Sequence, residues 1–446
     1  QPKEWAALFE TLRLGDITED FQPLSSATWN LPGNNPVGRT IWSTIWSHLD
    51  ATGPDLRWVI THLNQNQIDD RRKYAGILMD LSPRDPAAVV ELIHHDWPKM
   101  EPRAAELERT LGHHPTVLQA LGRRYSELQN VASAERCFHR EIEIAPNADA
   151  SLALAKLYLD QGEEDKWKAT MEAALKGEEY GLEHVRIRVE LARYYMKTGR
   201  FDQAEPYAAA AAESWAYWAM ECARECYEKL ADWKKAELWQ RRASERYEDR
   251  QMEWFFWCKQ NEKGDPEAAA ALAERYIAQL GPRATSADLE KFGIFFALTG
   301  RTRESLAAFR KSSESTNDPY AGLHAALAAM ALKDGEARDA ALGRILEKGP
   351  AFQAAKGRKG LEVELAKEFR NILDQGAGAL PAPGVFDRLL QDADAPNSTN
   401  ASYFIGRFLE LQRSSAEARP YYENGLKSGV DNWNHLLLRD ALKHKP

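Results

Sequence analysis

Apolar positions along this chain recur in a fixed internal order. Around Leu191 a large residue is followed by a small one (Ala192), an aromatic three later (Tyr195), a glycine (Gly199), then Phe201 and Ala204. The same order returns as Leu121-Gly122, Tyr125, Ala134, Phe138 and Pro146, and as Leu154-Ala155, Tyr158, Gly162, Trp167, Met171 and Ala174. Farther on, Tyr227, Trp233, Ala236 and Ala243 keep its second half, and Phe292-Gly293, Phe296, Gly300 and Phe309 restore the first. Leu327-Ala328, Gly335 and Ala340 follow, then Ile405-Gly406, Leu409, Ala418 and Tyr422. Spacings of three and four within each half predict amphipathic helices, with the glycine as the turn between two of them. A period near 34 residues predicts stacked helix pairs.

This pattern resembles the tetratricopeptide repeat over about 115–347 and 398–430. The resemblance implies an all-α chain, a right-handed α-solenoid of stacked antiparallel helix pairs. In such a stack Gly122, Ala155, Ala192, Gly293, Ala328 and Gly406 lack bulk where the first helix meets its partner. Tyr125, Tyr158, Tyr195, Tyr227 and Phe296 fill the space beside that approach, and Pro146 and Pro319 close units, since proline cannot continue a helix interior. One pair cannot bury its face alone, so stacking is obligatory.

The remainder is less regular. Residues 1–35 read as a short helix (Trp5, Leu8, Phe9, Leu12) and an irregular arm. Residues 36–114 are helical, with Ile41, Ile45 and Leu49 on one face and a degenerate repeat over 55–83 containing Trp58 and His62. The array proper spans 115–347, with a degenerate unit between Tyr247 and Gly281. Residues 348–397 read as non-repeat helices and linker, and 398–446 as the last repeat plus a helix, Trp433–Leu442, expected to cap the array with Asn434, Arg439, Asp440 and Lys443 outward.

Composition agrees with helices: alanine is abundant and Trp reaches 14 in 446 residues. A formal net charge of -9 disfavours nucleic acid, whose binders rely on cations at phosphate. No apolar run is long enough to cross a membrane, and no signal peptide opens the chain. The start at Gln1 points to processing or trimming upstream, and a cytoplasmic location is the default expectation. Cys137, Cys222, Cys226 and Cys258 have no zinc-type spacing and read as buried thiols.

Candidate chemistry is sparse. Nucleophile elbows, phosphate loops and zinc-helix motifs are absent, so neither catalysis nor a cofactor is expected. His94-His95-Asp96 and His113-His114 are adjacent residues that point apart on a helix. Asn397 and Asn400 begin glycosylation sequons in a segment read as a break.

Two features point to partners. In the family the resemblance implies, the first helices line the concave groove, and the residue after the small one faces into it. Those residues are Arg123, Lys156 and Arg193, with Lys197 one turn on, a cationic row suited to acidic or carboxylate-bearing protein partners. Gln119 and Arg123 depart from the Lys and Asn set with which some members clamp a terminal carboxylate. Glu221, Glu225 and Glu228 reverse the sign in the fourth unit. The second feature is an aromatic belt, Trp215, Trp218, Trp233, Trp239, Trp254 and Trp257 with Phe255 and Phe256. Trp233 matches Phe201 and is assigned to the core. Trp218, Trp254 and Trp257 are either core or partner contacts, because a helix apolar all round must be covered all round. The function expected is a protein-interaction scaffold binding a peptide or protein in its groove. The alternative is an accessory subunit or domain of a larger enzyme or secretion complex, positioning a catalytic partner.

Overall fold

The computed structural model describes residues 56–443, apart from 58–59, 62, 64–65, 178–180, 356–360, 377–378, 380, 382–383, 392, 413–414 and 428–432. The arm, the Ile41 face, Trp58 and His62 therefore lie outside the described residues. Among the described residues all regular structure is helical, in two compact units, one ending at Ser214 and the other beginning at Trp215.

The first unit holds α1 (Ile68–Leu81), α2 (Pro86–His95), α3 (Ala104–Leu111), α4 (Pro115–Glu127), α5 (Val131–Ile144), α6 (Ala148–Asp160), α7 (Glu164–Ala174), α8 (Glu183–Lys197) and α9 (Phe201–Ala212). The second holds α10 (Tyr217–Lys229), α11 (Trp233–Arg246), α12 (Glu253–Asn261), α13 (Pro266–Leu280), α14 (Ser286–Leu298), α15 (Thr302–Thr316), α16 (Pro319–Ala331) and α17 (Gly335–Ala355). Then come α18 (Leu361–Asp374), α19 (Val385–Gln391), α20 (Ala395–Leu411), α21 (Ser415–Lys427) and α22 (Trp433–Lys443). Antiparallel neighbours α4/α5, α6/α7, α8/α9, α10/α11, α14/α15, α16/α17 and α20/α21 form the repeat pairs.

Within six of these pairs the helices are joined by one recurring turn. Gln129, Gly162, Gly199, Ala231, Gly300 and Lys333 adopt φ near +60 to +75°. The next amide donates back five residues, as Asn130 to Tyr125, Glu163 to Tyr158, Arg200 to Tyr195, Asp232 to Tyr227, Arg301 to Phe296 and Asp334 to Ala329, at 2.8–2.9 Å. This closes the orphan carbonyls of the first helix. Glycine is thus not required at the turn: Gln129, Ala231 and Lys333 accept the left-handed conformation at a steric cost. Asn130, Asp232 and Asp334 then accept from backbone amides in the first turn of the second helix.

The small residues do hold the pairs together. A Cβ built on Gly122 would lie 2.6 Å from the Phe138 ring, on Gly293 2.6 Å from Phe309, and on Gly406 2.4 Å from Tyr422. Each ring sits the same distance along the sequence from its glycine. The equivalent positions elsewhere hold Ala155 with Met171 and Ala192 with Ala208, all buried. Counting back from the Lys333 turn, the sixth pair's small residue is Ala326, facing the register of Leu342, not Ala328. In the fourth pair the same count lands on Arg224. Pro319 stands at the first position of α16, so it opens a helix where closure was expected.

Candidate interaction surface

In the first unit α6 packs directly against both α4 and α8, whereas the second helices α5, α7 and α9 are spread farther from one another. The face made by the first helices is therefore the inner one. Arg123, Lys156, Arg193 and Lys197 all stand exposed on these helices, each of the first three directly after a buried small residue. The row is not purely cationic. Lys156 pairs with Asp160 at 2.8 Å, Arg193 lies 3.8 Å from Glu190, and Arg186 of α8 reaches Asp149 of α6 at 2.7 Å. Such exposed pairs hold their partners weakly, so the cations stay available to a ligand. Beneath the first of them Glu141 is buried on α5 and receives Gln119 from α4 at 3.3 Å. Burial pushes its carboxyl up to about 7, partly opposed by Asn147 and Arg123.

In the second unit Glu221 and Glu225 are not a bare acidic patch. Arg224 lies between them, 4.0 Å from Glu221, 3.2 Å from Glu225 and 2.6 Å from Glu228. This arginine occupies the position where neighbouring pairs carry Gly or Ala, and the carboxylates around it offset its partial burial.

The aromatic belt is mostly interior, and of the two alternatives for Trp254 and Trp257 the core one holds. Both are 4 % exposed, and their indole N–H groups donate to Glu237 and Glu228. Phe255 packs edge-on against Phe295, and Phe256 lies 4.5 Å from Trp433. The apolar-all-round segment is covered by neighbouring helices of its own unit. Trp218 is half-buried. Trp233 is half-buried too, under Lys263, and is not the core residue expected from its match to Phe201.

Sequence reasoning missed the second unit's inner face. Helix α22 keeps Leu436–Leu438 buried and leaves His435, Arg439 and Asp440 half-buried and Lys443 exposed, so only Asn434 departs from the expected outward set. Asn434, expected outside, is fully buried between Tyr320 of α16 (3.3 Å) and Asn400 of α20 (3.1 Å). Arg439 donates to the Gln260 carbonyl and, with Lys443, pairs with Glu262 at the end of α12. Beneath it His324 is buried among the rings of Phe309, Tyr320, Tyr403 and Phe404, and burial pushes its pKa down to about 3. The one available signal was an unpaired helix following a complete pair.

The four cysteines are buried, and burial pushes Cys137 and Cys258 up to about 12, far from the thiolate a nucleophile needs. Among the described residues no three His, Cys, Asp or Glu side chains are grouped to hold a metal. The sequons lie on α20, not in a break, with Thr399 and Ser402 buried. No described helix is long and apolar enough to cross a membrane.

Antiparallel pairs with a repeated turn and a small residue set against a large one define an all-α helical repeat protein. The family model of the tetratricopeptide repeat matches residues 148–176, which span α6 and α7, so the chain carries a tetratricopeptide repeat there. No curated protein matches it in sequence. Among solved structures it is similar to PilW, a widely conserved type IV pilus biogenesis factor, at 15% identity over 53% of this chain and 94% of that one, with a TM-score of 0.23. It is also similar to the Cut9-Hcn1 hetero-tetramer of the APC/C (13%, 79% and 59%, 0.27) and to Naa15/Naa10 bound to HypK-THB (14%, 88% and 66%, 0.32).

Proposed function

We propose that the protein is a non-catalytic scaffold that binds a peptide or protein partner on the inner face of its first unit. The observation that supports this reading is the adjacency of α4, α6 and α8, together with the exposure of Arg123, Lys156, Arg193 and Lys197 on these helices. Tetratricopeptide repeats serve in general as interaction scaffolds, and the cationic excess of the row favours an acidic segment or a chain-terminal carboxylate. Because Arg123 also stabilises ionised Glu141, a bound carboxylate and Glu141 would compete for the same cation.

The test is affinity capture of partners by the intact chain beside the double variant Arg123→Glu/Arg193→Glu. A stoichiometric partner whose affinity falls at least about tenfold in the variant, with helicity unchanged, supports the reading. Unchanged affinity removes the face from the account.

A further inference from the structure

We propose that the inner face of the second unit is a helix-binding groove that the chain closes with its own α22, and that a partner helix of the same chemistry competes for it. Helix α22 packs on α21, the helix before it, and also reaches α12 through Trp433, Arg439 and Lys443, α14 through packing, and α16 and α20 through Asn434. Asn434 and Leu436–Leu438 of α22 are buried, while His435, Arg439 and Asp440 are half-buried and Lys443 is exposed.

The contacts define what the groove accepts. An aromatic residue enters beside Phe256. One turn holds an amide between Tyr320 and Asn400, where an apolar substitute would remove one hydrogen bond from each of these half-buried groups. Leu436, Leu437 and Leu438 supply the apolar middle. Two cations four residues apart then meet Glu262 and the carbonyl end of α12, where the helix dipole is negative.

The fit is incomplete in one place. Leu437, Asp440 and Ala441 roof a cavity of about 140 Å³ whose other walls include Ser305, His324, Tyr403 and Arg407. His324 is 4 % exposed and its Nε2 finds no hydrogen-bond partner in the protein. A partner helix with a larger side chain at the place of Ala441 fills volume that α22 leaves, which gives it a contact advantage over the tethered segment. The tether gives α22 the opposite advantage of high effective concentration. The balance makes the groove displaceable.

A labelled peptide of residues 433–443, and the same peptide with Ala441→Leu, are titrated into the full chain and into Arg439→Gln/Lys443→Gln. That variant loosens α22 without introducing repulsion. Binding at least about tenfold tighter to the variant than to the wild type is expected, tighter again for the Leu peptide, and lost on adding Glu262→Lys. Amide exchange supplies the control: α22 exchanges faster in the variant while α14 and α16 stay protected. A loosened α22 with no peptide bound overturns the groove. Unchanged α22 exchange, or a collapse of α14 and α16 with it, overturns the claim that α22 is separable from the unit it closes.

Discussion

The two units use the same helix pair and treat their inner faces in opposite ways. In the first, α4, α6 and α8 leave cations exposed, and Lys156, Arg193 and Arg186 among them are loosely matched by carboxylates of these helices. In the second, α10 keeps a charged cluster around Arg224, and beyond it the helices from α12 to α20 offer rings and amides that α22 covers. The difference teaches that the repeat fixes the contacts between the helices of a pair, whereas the inner-face residues are free to vary. Gly122 against Phe138 and Gly293 against Phe309 are the same joint in both units. Arg123 and Ile294, the residues just after those glycines, have nothing in common: one is exposed, the other fully buried.

The largest effect that would break this comparison comes from the shared joint. Gly122→Leu and Gly406→Leu should each cost about 3 kcal/mol, since even a Cβ meets a ring at 2.6 Å or less, and thermal melts followed by circular dichroism would show it. The Ala155 and Met171 pairing predicts a rescue: Gly122→Ala destabilises alone and recovers much of the loss with Phe138→Met. Failure of that rescue would mean the joint is not exchangeable between pairs.

Next come the titrations, which separate the units by sign. Buried His324 stays neutral while the unfolded chain takes up a proton below about pH 6.5, so the second unit loses stability as pH falls from there toward 3. The slope should be at most roughly 1.4 kcal/mol per pH unit, and His324→Phe should flatten it. Glu141 behaves oppositely. Its raised pKa means the folded state keeps a proton the unfolded chain releases, so that stability is complete below about 4.5 and lost as pH rises to about 7. Glu141→Gln should therefore stabilise the first unit at pH 8 by about 1–2 kcal/mol. Urea melts across pH 4–8, read by amide exchange in α5 and α16, would expose any shared sign.

The smallest effects lie at the turns. Ala231→Gly and Lys333→Gly should each stabilise by about 0.5–1 kcal/mol, because both residues hold positive φ, whereas Gly199→Ala should cost a similar amount. Equal changes in denaturation midpoint at all three would contradict the turn geometry.

The repeat was legible because its determinants are close in sequence. A turn closes over five residues and a glycine meets its ring within one helix pair, so the order of large, small and aromatic residues records the contacts directly. The sixth pair was misregistered by two residues, Ala328 for Ala326, because α16 is alanine-rich and several small residues fit the pattern equally well. Arg224 in a small-residue position could not be foreseen either, since its neutralising carboxylates Glu221, Glu225 and Glu228 read simply as a charge reversal.

What the sequence determined by itself is the pair: its helices, its turn, its close contact, and the exposed cations that follow the small residues. What only the tertiary structure decided is the cover of each inner face. Trp254 and Trp257 belong to the interior because Glu237 and Glu228 take their N–H groups, and α22 is a groove occupant because Arg439 finds Gln260 and Glu262 far earlier in the chain. Local periodicity reports contacts within a few turns. Contacts between distant segments depend on how successive pairs stack, and no spacing along the chain records that.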